Sequence, residues 1–505
     1  MKRSLPALLV LASLVPARAS ASAGLEFSNG IIGENATLAL SGTPAPFLLL
    51  LSFNQGPTPI SLVDPSDPRV LNVGLDLLPF AIGGTVPMTL VVPLAVDANL
   101  IGLVLYAQYV TFPGATTLVN EISNPVAAVL TAHGTTLPAL GPLAEGRALA
   151  TATRLPSGDV LVAGGGNGGV TGATGLQSAE VYDRHLRTFS TVPGGMTIER
   201  AFHTANLLNN GLVLLAGGAT GGGSPTASAE LYDPATNTFA ATGPMGNARA
   251  GHTATLLPNG NVLVTGGVSV LDSANLLNTI ASTQNTTEIY NPSTGLWTPG
   301  PNMSSRRVGH TATRMNNGQV LIVGGVTVTF IFTLPIPSFS GTAQRYDSGT
   351  GSFVGTASLP AGQERALHGA SLLNSGEVLV AGGLNGDLIT QTFVVLASAY
   401  RYNPVTNAWA SAGSMADART QHAQVVMPGG DVVVLGGAQG TLTAPVPIAS
   451  IEIWNPGSGL WTSGGALSVA RASLVSALTP DDKHVLAISG SDGTNALQSA
   501  DVYTP

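Results

Sequence analysis

Short apolar runs, each closed by a pair of small residues, recur along most of this chain. Val262-Leu263-Val264 leads to Gly266-Gly267, and Val378-Leu379-Val380 leads to Gly382-Gly383. The same pair stands at Gly164-Gly165, Gly217-Gly218, Gly324-Gly325 and Gly436-Gly437, with Ser489-Gly490 as a degenerate seventh copy. After each pair a loop of variable length leads to an aromatic, and in six copies a second aromatic follows seven residues later: Tyr182/Phe189, Tyr232/Phe239, Tyr290/Trp297, Tyr346/Phe353, Tyr402/Trp409 and Trp454/Trp461. A self-similar period of about 50 residues points to a propeller or solenoid, in which each repeat buries its apolar face only against its neighbours.

Each repeat parses into four strands. In the third copy strand a runs from His252 to Leu256, strand b from Asn261 to Gly266, strand c carries Glu288-Ile289-Tyr290 and strand d carries Trp297. Between strands a and b, Pro258-Asn259-Gly260 predicts a two-residue hairpin turn with positive φ at both central residues. Four antiparallel strands per repeat make a propeller blade. The seventh copy ends at Tyr503-Thr504-Pro505, after its third strand. Upstream, Leu137, Gly141-Pro142-Leu143 and Arg147 fall at the offsets of Phe239, Gly243-Pro244-Met245 and Arg249, so residues 135–143 are expected to close the last blade. The cassette of apolar run, glycine pair and spaced aromatics resembles the kelch motif, over nearly three quarters of the chain. The resemblance extends to the central propeller domain of the galactose oxidase type. The expected fold is all-β: a seven-bladed kelch-type β-propeller over residues 135–505, preceded by a small β-sandwich domain over residues 24–134.

That preceding segment has apolar runs at Ala36 to Leu40, Phe47 to Phe53, Met88 to Val92, Leu103 to Val110 and Val126 to Thr131, separated by Gly, Pro and Asp clusters, which is the punctuation of a sandwich. Residues 1–23 have the form of a signal peptide: Lys2-Arg3, an apolar stretch from Leu5 to Val15, then alanines in cleavage register up to Ala23. Export to a periplasm, cell surface or medium is the expectation, with no transmembrane segment left after signal removal. The chain has no cysteine, which excludes disulfides, thiolate metal sites and a lipid anchor on an N-terminal Cys. Its net charge is -8, so it offers no basic footprint for nucleic acid.

Three polar positions repeat with the blades. An arginine precedes every strand a: Arg147, Arg200, Arg249, Arg307, Arg365, Arg419 and Arg471. Three residues later stand His203, His252, His310, His368 and His422, with Ala150 and Leu474 in the other copies. Two residues before the strand c aromatic stand Glu180, Glu230, Glu288, Glu452 and Asp501, with Gln344 and Tyr400 as substitutes. One reading makes these a ring at the channel mouth able to hold an anion or a metal. The preferred reading is a structural network in which Arg bridges to the strand c carboxylate and His hydrogen-bonds neighbouring backbone, because an element present in every blade serves the blade. On that reading no metal and no other cofactor is expected.

The resemblance to the galactose oxidase type would imply a copper centre with a Tyr cross-linked to a Cys. Without cysteine that cofactor cannot form, so oxidase activity is not expected. No nucleophile elbow, His-Glu-x-x-His helix or phosphate-binding loop occurs, and blade-specific acids are scattered, as at Asp272 and Asp387. The loops between strands b and c are longest in blades three to five and strongly apolar in two of them, with Phe330, Phe332 and Phe339 in the fourth and Phe393 in the fifth. These four aromatics are the candidate binding residues, against the alternative that the loops form hairpins packed on a neighbouring blade. The functional expectation is an exported, non-catalytic binding or scaffold protein contacting an envelope protein or an extracellular polysaccharide. The alternatives are an extracellular carbohydrate-active hydrolase or lyase with its site at the channel mouth, and a self-assembling surface-layer component.

Overall fold

The computed structural model describes residues 13–15, 24–28, 31, 34–42, 44–45, 47–52, 55–59, 70–73, 86, 88–93, 101–112, 122–168, 175–332, 334–441, 444–479 and 481–505. The expected signal segment falls outside them apart from Ser13–Val15, an extended stretch paired with Met88–Pro93. The chain divides into two compact units, one of residues 1–137 with 183–187 and 504, the other of the remainder.

In the first unit one sheet is ordered Ser13–Val15, Met88–Pro93, Asn35–Ser41, Gly24–Ser28, and a second is ordered Phe47–Ser52, Val104–Thr111, Val126–Val129. Leu25, Leu38, Leu40 and Leu90 from the first sheet share one buried core with Phe47, Leu49, Tyr109 and Val126 from the second, as in a sandwich. The period-2 alternation of Leu38 and Leu40, and of Phe47 and Leu49, places these residues on the inward face.

In the second unit, every repeat is a four-stranded antiparallel sheet in the order a, b, c, d. Blade three is Thr253–Leu256, Val262–Thr265, Thr287–Asn291 and Leu296–Pro299. There are seven such sheets among the described residues, and the inner strands touch in cyclic order, Thr151–Arg154 meeting both Thr204–Leu207 and Val475–Leu478. The seventh sheet takes Thr135–Pro138 beside Ala500–Thr504. The Ala139 amide donates to the Ala500 carbonyl at 2.8 Å and that of Leu143 to Gln498 at 2.8 Å. Joining both ends of the repeat array in one sheet hides two strand edges.

The core of this unit lies between blades. Strand b is buried along its length, as in Val262–Thr265, because neighbouring blades cover both its faces. Leu257, Leu263 and Met303 of blade three pack on Val320, Ile322 and Tyr346 of blade four, and equivalent clusters fill the other seams. The strand c aromatic enters the seam, while its strand d partner lies directly opposite in register, with Tyr290 and Trp297 ring centroids 5.0 Å apart. Trp occupies strand d where its indole N–H reaches the preceding blade: Trp297 donates to Gly243 O at 2.7 Å, Trp409 to Ala357 O at 2.8 Å and Trp461 to Ala412 O at 2.9 Å.

The turn at Pro258-Asn259-Gly260 differs from its sequence expectation. Only Gly260 has positive φ, +85°, and its amide donates to Leu257 O while Leu257 N donates to Asn261 O. Pro258 locks the first central residue at negative φ, so the loop is a type I turn followed by a left-handed glycine.

A second left-handed feature was not visible in the sequence. Leu149, Phe202, Gly251, Gly309, Leu367, Gln421 and Ser473, each two residues after a repeat arginine, all have φ between 52° and 66°. Their amides link blade to blade around the channel mouth: Phe202 N donates to Leu149 O at 3.3 Å, Gly251 N to Phe202 O at 3.0 Å, Leu367 N to Gly309 O at 2.8 Å and Leu149 N to Ser473 O at 3.3 Å. Left-handed non-glycine residues cost energy, and these blade-to-blade bonds offset it.

The glycine pair is explained by space as well as φ. Gly266 and Gly267 have φ of +64° and +91°, and a Cβ on Gly266 would lie 2.5 Å from Arg307 O and 2.8 Å from His310 Cε1. The degenerate seventh copy fits the same rule. Gly490 N donates to Arg147 O at 2.9 Å, as Gly267 N does to Arg307 O, so the Ser489 side chain falls in the seam where blade one carries Ala150 in place of histidine. Gly266→Ala is therefore expected to destabilise the propeller by about 2 kcal/mol or more, read by urea unfolding. Ser489→Gly, which removes a side chain from a seam that already has room, should change stability by well under half of that.

Candidate functional site

Strand a leaves the arginine end and strand b returns to it, so the glycine pairs, the b–c loops and the d–a loops all gather on one face of the propeller. The tight a–b and c–d turns occupy the other. The repeat polar residues and the irregular loops therefore share a face, and two kinds of site compete for it.

The repeat residues form a buried scaffold. Arg249 is fully buried; its Nη1 donates to Gly266 O at 2.8 Å and Thr286 O at 3.1 Å, and its Nη2 to Glu288 Oε1 at 2.8 Å. The Glu288 carboxylate also accepts from the Gly246 and Asn247 amides of the d–a loop. One guanidinium thus ties strand b, strand c and the loop before strand a. The same pairing joins Arg147 to Glu180, Arg200 to Glu230 and Arg419 to Glu452, each at 2.7 Å, and Arg471 to Asp501 at 3.3 Å. In blades four and five Gln344 and Tyr400 stand at the strand c position of the acid. Burial alone lowers Arg307 to about 10, and burial likewise brings Arg365 to about 10, with its guanidinium 5.5 Å from the centroid of the Tyr400 ring.

The histidine Nε2 atoms reach side-chain hydroxyls across the seams. Nε2 of His203, His252, His310 and His368 lies 2.9 to 3.1 Å from the hydroxyl of Thr151, Thr204, Thr253 and Thr311, the first residue of strand a in the preceding blade. His422 faces Gly369 at that position and has no such hydroxyl. The rings are wedged in the seams, so they are spacers between blades. Burial, followed by the repeat arginines, pushes His203 down to about 3, and burial with Arg307 nearby does the same to His310.

The irregular loops carry the asymmetry. In blade four Val326–Ile331 pairs with Leu334–Phe339, in blade five Leu384–Asp387 with Thr392–Val395, and in blade six Ala438–Gly440 with Pro445–Pro447. Blade three contributes the short helix Leu276–Ala281, capped by Asn275. Val326, Val328, Phe339, Leu384, Leu388 and Ile280 form a satellite core under these loops, and Phe393 packs on it with its ring 6.3 Å from that of Phe339. Phe339 is 7 % exposed, so burial gives it a packing role and removes it as a contact residue. The hairpin tip is different: Phe330, Ile331 and Leu334 are exposed, and Phe332, at φ 55°, is 98 % exposed.

Beside this tip lies a polar cleft of about 380 Å³ lined by Asn247, Ser269, Gln284, Asn285, Thr286 and Arg306. Arg306 Nη1 donates to Thr283 O at 2.8 Å, and its guanidinium stands 5.6 Å from the Phe330 ring centroid. The amides are held in place: Gln284 Nε2 donates to Ala248 O at 2.9 Å, and Thr286 donates to Gln284 Oε1 at 3.0 Å. Sequence reading missed this cleft because its residues come from three separate loops of blades three and four. Asp272 and Asp387 are not part of it. Each caps its own turn, Asp272 through Asn278 and the amides of Ala274 and Asn275, and Asp387 through the amides of Thr390 and Ile389, which hold both carboxyls below their usual range.

Two outcomes follow from the scaffold. Glu288→Ala leaves the Arg249 guanidinium buried without its anion and should cost about 3–5 kcal/mol, measured by denaturant unfolding. Because folded His310 stays neutral down to about pH 3 while an unfolded histidine takes a proton near 6.5, its contribution is complete above pH 6.5 and is lost as pH falls toward 3. His310→Leu, with the residue that blade seven uses at Leu474, should flatten the fall in stability between neutral and acidic urea titrations.

The kelch motif family matches residues 248–304, the third blade from its leading arginine to the next d–a loop. Among proteins of curated function none matches this sequence. Among solved structures, a fungal alcohol oxidase of the AA5 family, in complex with copper, superposes with a TM-score of 0.59 at 17 % identity, covering 74 % of this chain and 76 % of that one. YjhT superposes with a TM-score of 0.46 at 17 % identity, covering 61 % of this chain and 96 % of that one. At such identity the oxidase likeness concerns the fold. The donor set here does not fit a copper centre: there is no cysteine, the repeat histidines are wedged between blades, and among the described residues no three His, Asp or Glu side chains are grouped to hold a metal. With the motif match falling on one blade and the oxidase superposition covering 74 % of the chain, the chain carries a kelch-type β-propeller.

Proposed function

We propose that the protein is exported and acts as a non-catalytic binding platform, docking an envelope protein on the loop face of blades three to six. The observation that carries this reading is the tip of the blade four hairpin, where Phe330, Ile331, Phe332 and Leu334 are 42 %, 57 %, 98 % and 62 % exposed on one turn. Ile389 and Val394 of blade five and Val446 of blade six add exposed apolar surface on the adjacent hairpins. Aromatic groups grouped this way on a rigid base are the composition of an interface anchor. The base is rigid because the hairpins of blades four and five are locked into the satellite core. Export rests on the sequence of residues 1–23, and no helix among the described residues is long and apolar enough to cross a membrane.

A second reading, an extracellular polysaccharide, is favoured by the cleft. Preset amides, hydroxyls and one cation beside an exposed ring are the groups that hydrogen-bond and stack on sugars.

The test compares retention of the labelled protein on an isolated cell-envelope fraction with that of the Phe330→Ser/Phe332→Ser variant, before and after protease or glycosidase treatment of the fraction. The expected result is at least about tenfold weaker retention by the variant, abolition by protease, and a melting temperature within about 1 °C of the parent, since both side chains are exposed. Abolition by glycosidase alone moves the function to polysaccharide. Equal retention of variant and parent overturns the hairpin tip as the contact.

A further inference from the structure

Comparison of the seven arginine sites isolates blade four. In five blades a Glu or Asp carboxylate neutralises the buried guanidinium. Blade five compensates otherwise: Arg365 Nη2 donates to Gln363 Oε1 at 3.0 Å, Arg365 Nε donates to Gln363 O at 3.0 Å, and the Tyr400 ring faces the guanidinium. In blade four Arg307 is fully buried and donates only to neutral oxygens, those of Gly324, Thr342 and the Thr342 hydroxyl.

The groups around it are also donors. Gln344 is 2 % exposed, and its Oε1 accepts from the amide and hydroxyl of Ser304, the task that Glu180 Oε2 performs with the Ala144 amide in blade one. Gln344 Nε2 is thereby left in the place of the oxygen that receives Arg147, and it has no acceptor. The Ser305 hydroxyl is likewise buried without a partner. Two residues before the repeat arginine, other blades carry longer side chains: Glu145, Asn247, Gln363 and Asp417. In blade six that position sets Asp417 Oδ2 at 3.8 Å from Arg419 Nη2, where it accepts from the Ser450 hydroxyl at 2.6 Å. Ser305 carries no carboxylate to do this, so blade four lacks both the strand c acid and an acid two residues before the arginine.

We propose that blade four binds a small monovalent anion of chloride size, held by Arg307, Gln344 Nε2 and the Ser305 hydroxyl where blade six places the Asp417 carboxylate. A buried cation with neutral acceptors only, beside donors left unmatched, selects for negative charge, and the burial of all three groups favours a small ion. The anion then serves blade four as Glu288 serves blade three, and it does so beneath the hairpin whose tip is exposed.

The test is thermal unfolding of the full chain in sodium chloride and in sodium gluconate at equal ionic strength, with ³⁵Cl NMR line width as a direct readout of binding. The parent should show a saturable rise of about 1–3 °C in chloride and chloride line broadening. Gln344→Glu supplies the missing carboxylate, so it should melt in gluconate as the parent does in chloride, without chloride dependence or broadening. Ser305→Asp supplies the charge from the other side and should behave alike, which keeps the test decisive if the first variant folds poorly. Equal melting of the parent in both salts without broadening overturns the proposal, as does a chloride response that both variants retain in full.

Discussion

The propeller depends on the guanidinium that starts each inner strand. A blade of four short strands cannot close its own end, because the carbonyls at the end of strand b point into a crowded seam where water is excluded. Arg249 and its counterparts meet that demand by donating to the carbonyl of the first glycine and to the backbone ahead of strand c. In five blades an acid neutralises the buried guanidinium, as Glu288 does for Arg249 while accepting the loop amides. The glycines follow from the same contact, since the arginine's own carbonyl approaches the glycine of the preceding blade too closely for a Cβ. Arginine, carboxylate and glycine pair are one device, repeated.

Blade-to-blade adhesion has two further layers. Outside lie the aromatics of strands c and d, packed on the neighbouring sheet; inside lies the circle of left-handed residues whose amides link consecutive blades. The histidine wedges stand between these layers, neutral because their seams exclude the proton's solvation. Each layer is local to one seam, which is why copies can degenerate singly. Ser489 with Ala150, Leu474, Gly369 and Gln344 are substitutions that one seam or blade absorbs without spoiling the ring.

Function is assigned to what escapes the repeat. The b–c loops of blades three to five add a second, small apolar core above the ring, and this core takes up part of their hydrophobic residues. Phe339 and Phe393 belong to it, whereas Phe330 and Phe332 lie beyond its edge. The division is a matter of hairpin geometry: paired strands keep their base against the neighbouring hairpin, and the tip overshoots it.

Periodicity in the sequence was sufficient for the strands, the repeat boundaries and the pairing of arginine with acid, because those features are set by local spacing and by a burial pattern that recurs. The positive φ values around the channel mouth carried no such signal: the residues there are Leu, Phe, Gly, Gln and Ser, and only the packing of one blade on the next forces them into a common conformation. The turn at Asn259-Gly260 has one positive φ where two were expected, because Pro258 outweighs the dipeptide preference. Equally, hydrophobicity alone marked Phe339 and Phe332 as equivalents, although one is enclosed and the other stands in solvent. The cleft beside Arg306 is assembled from separate loops, and the unmatched donors around Arg307 emerge only when seven superposed environments are compared. Sequence by itself determined the repeat and its internal bonds, since each is encoded within about 50 residues; tertiary structure decided what is exposed and what is left unneutralised, since both depend on neighbours distant in the chain.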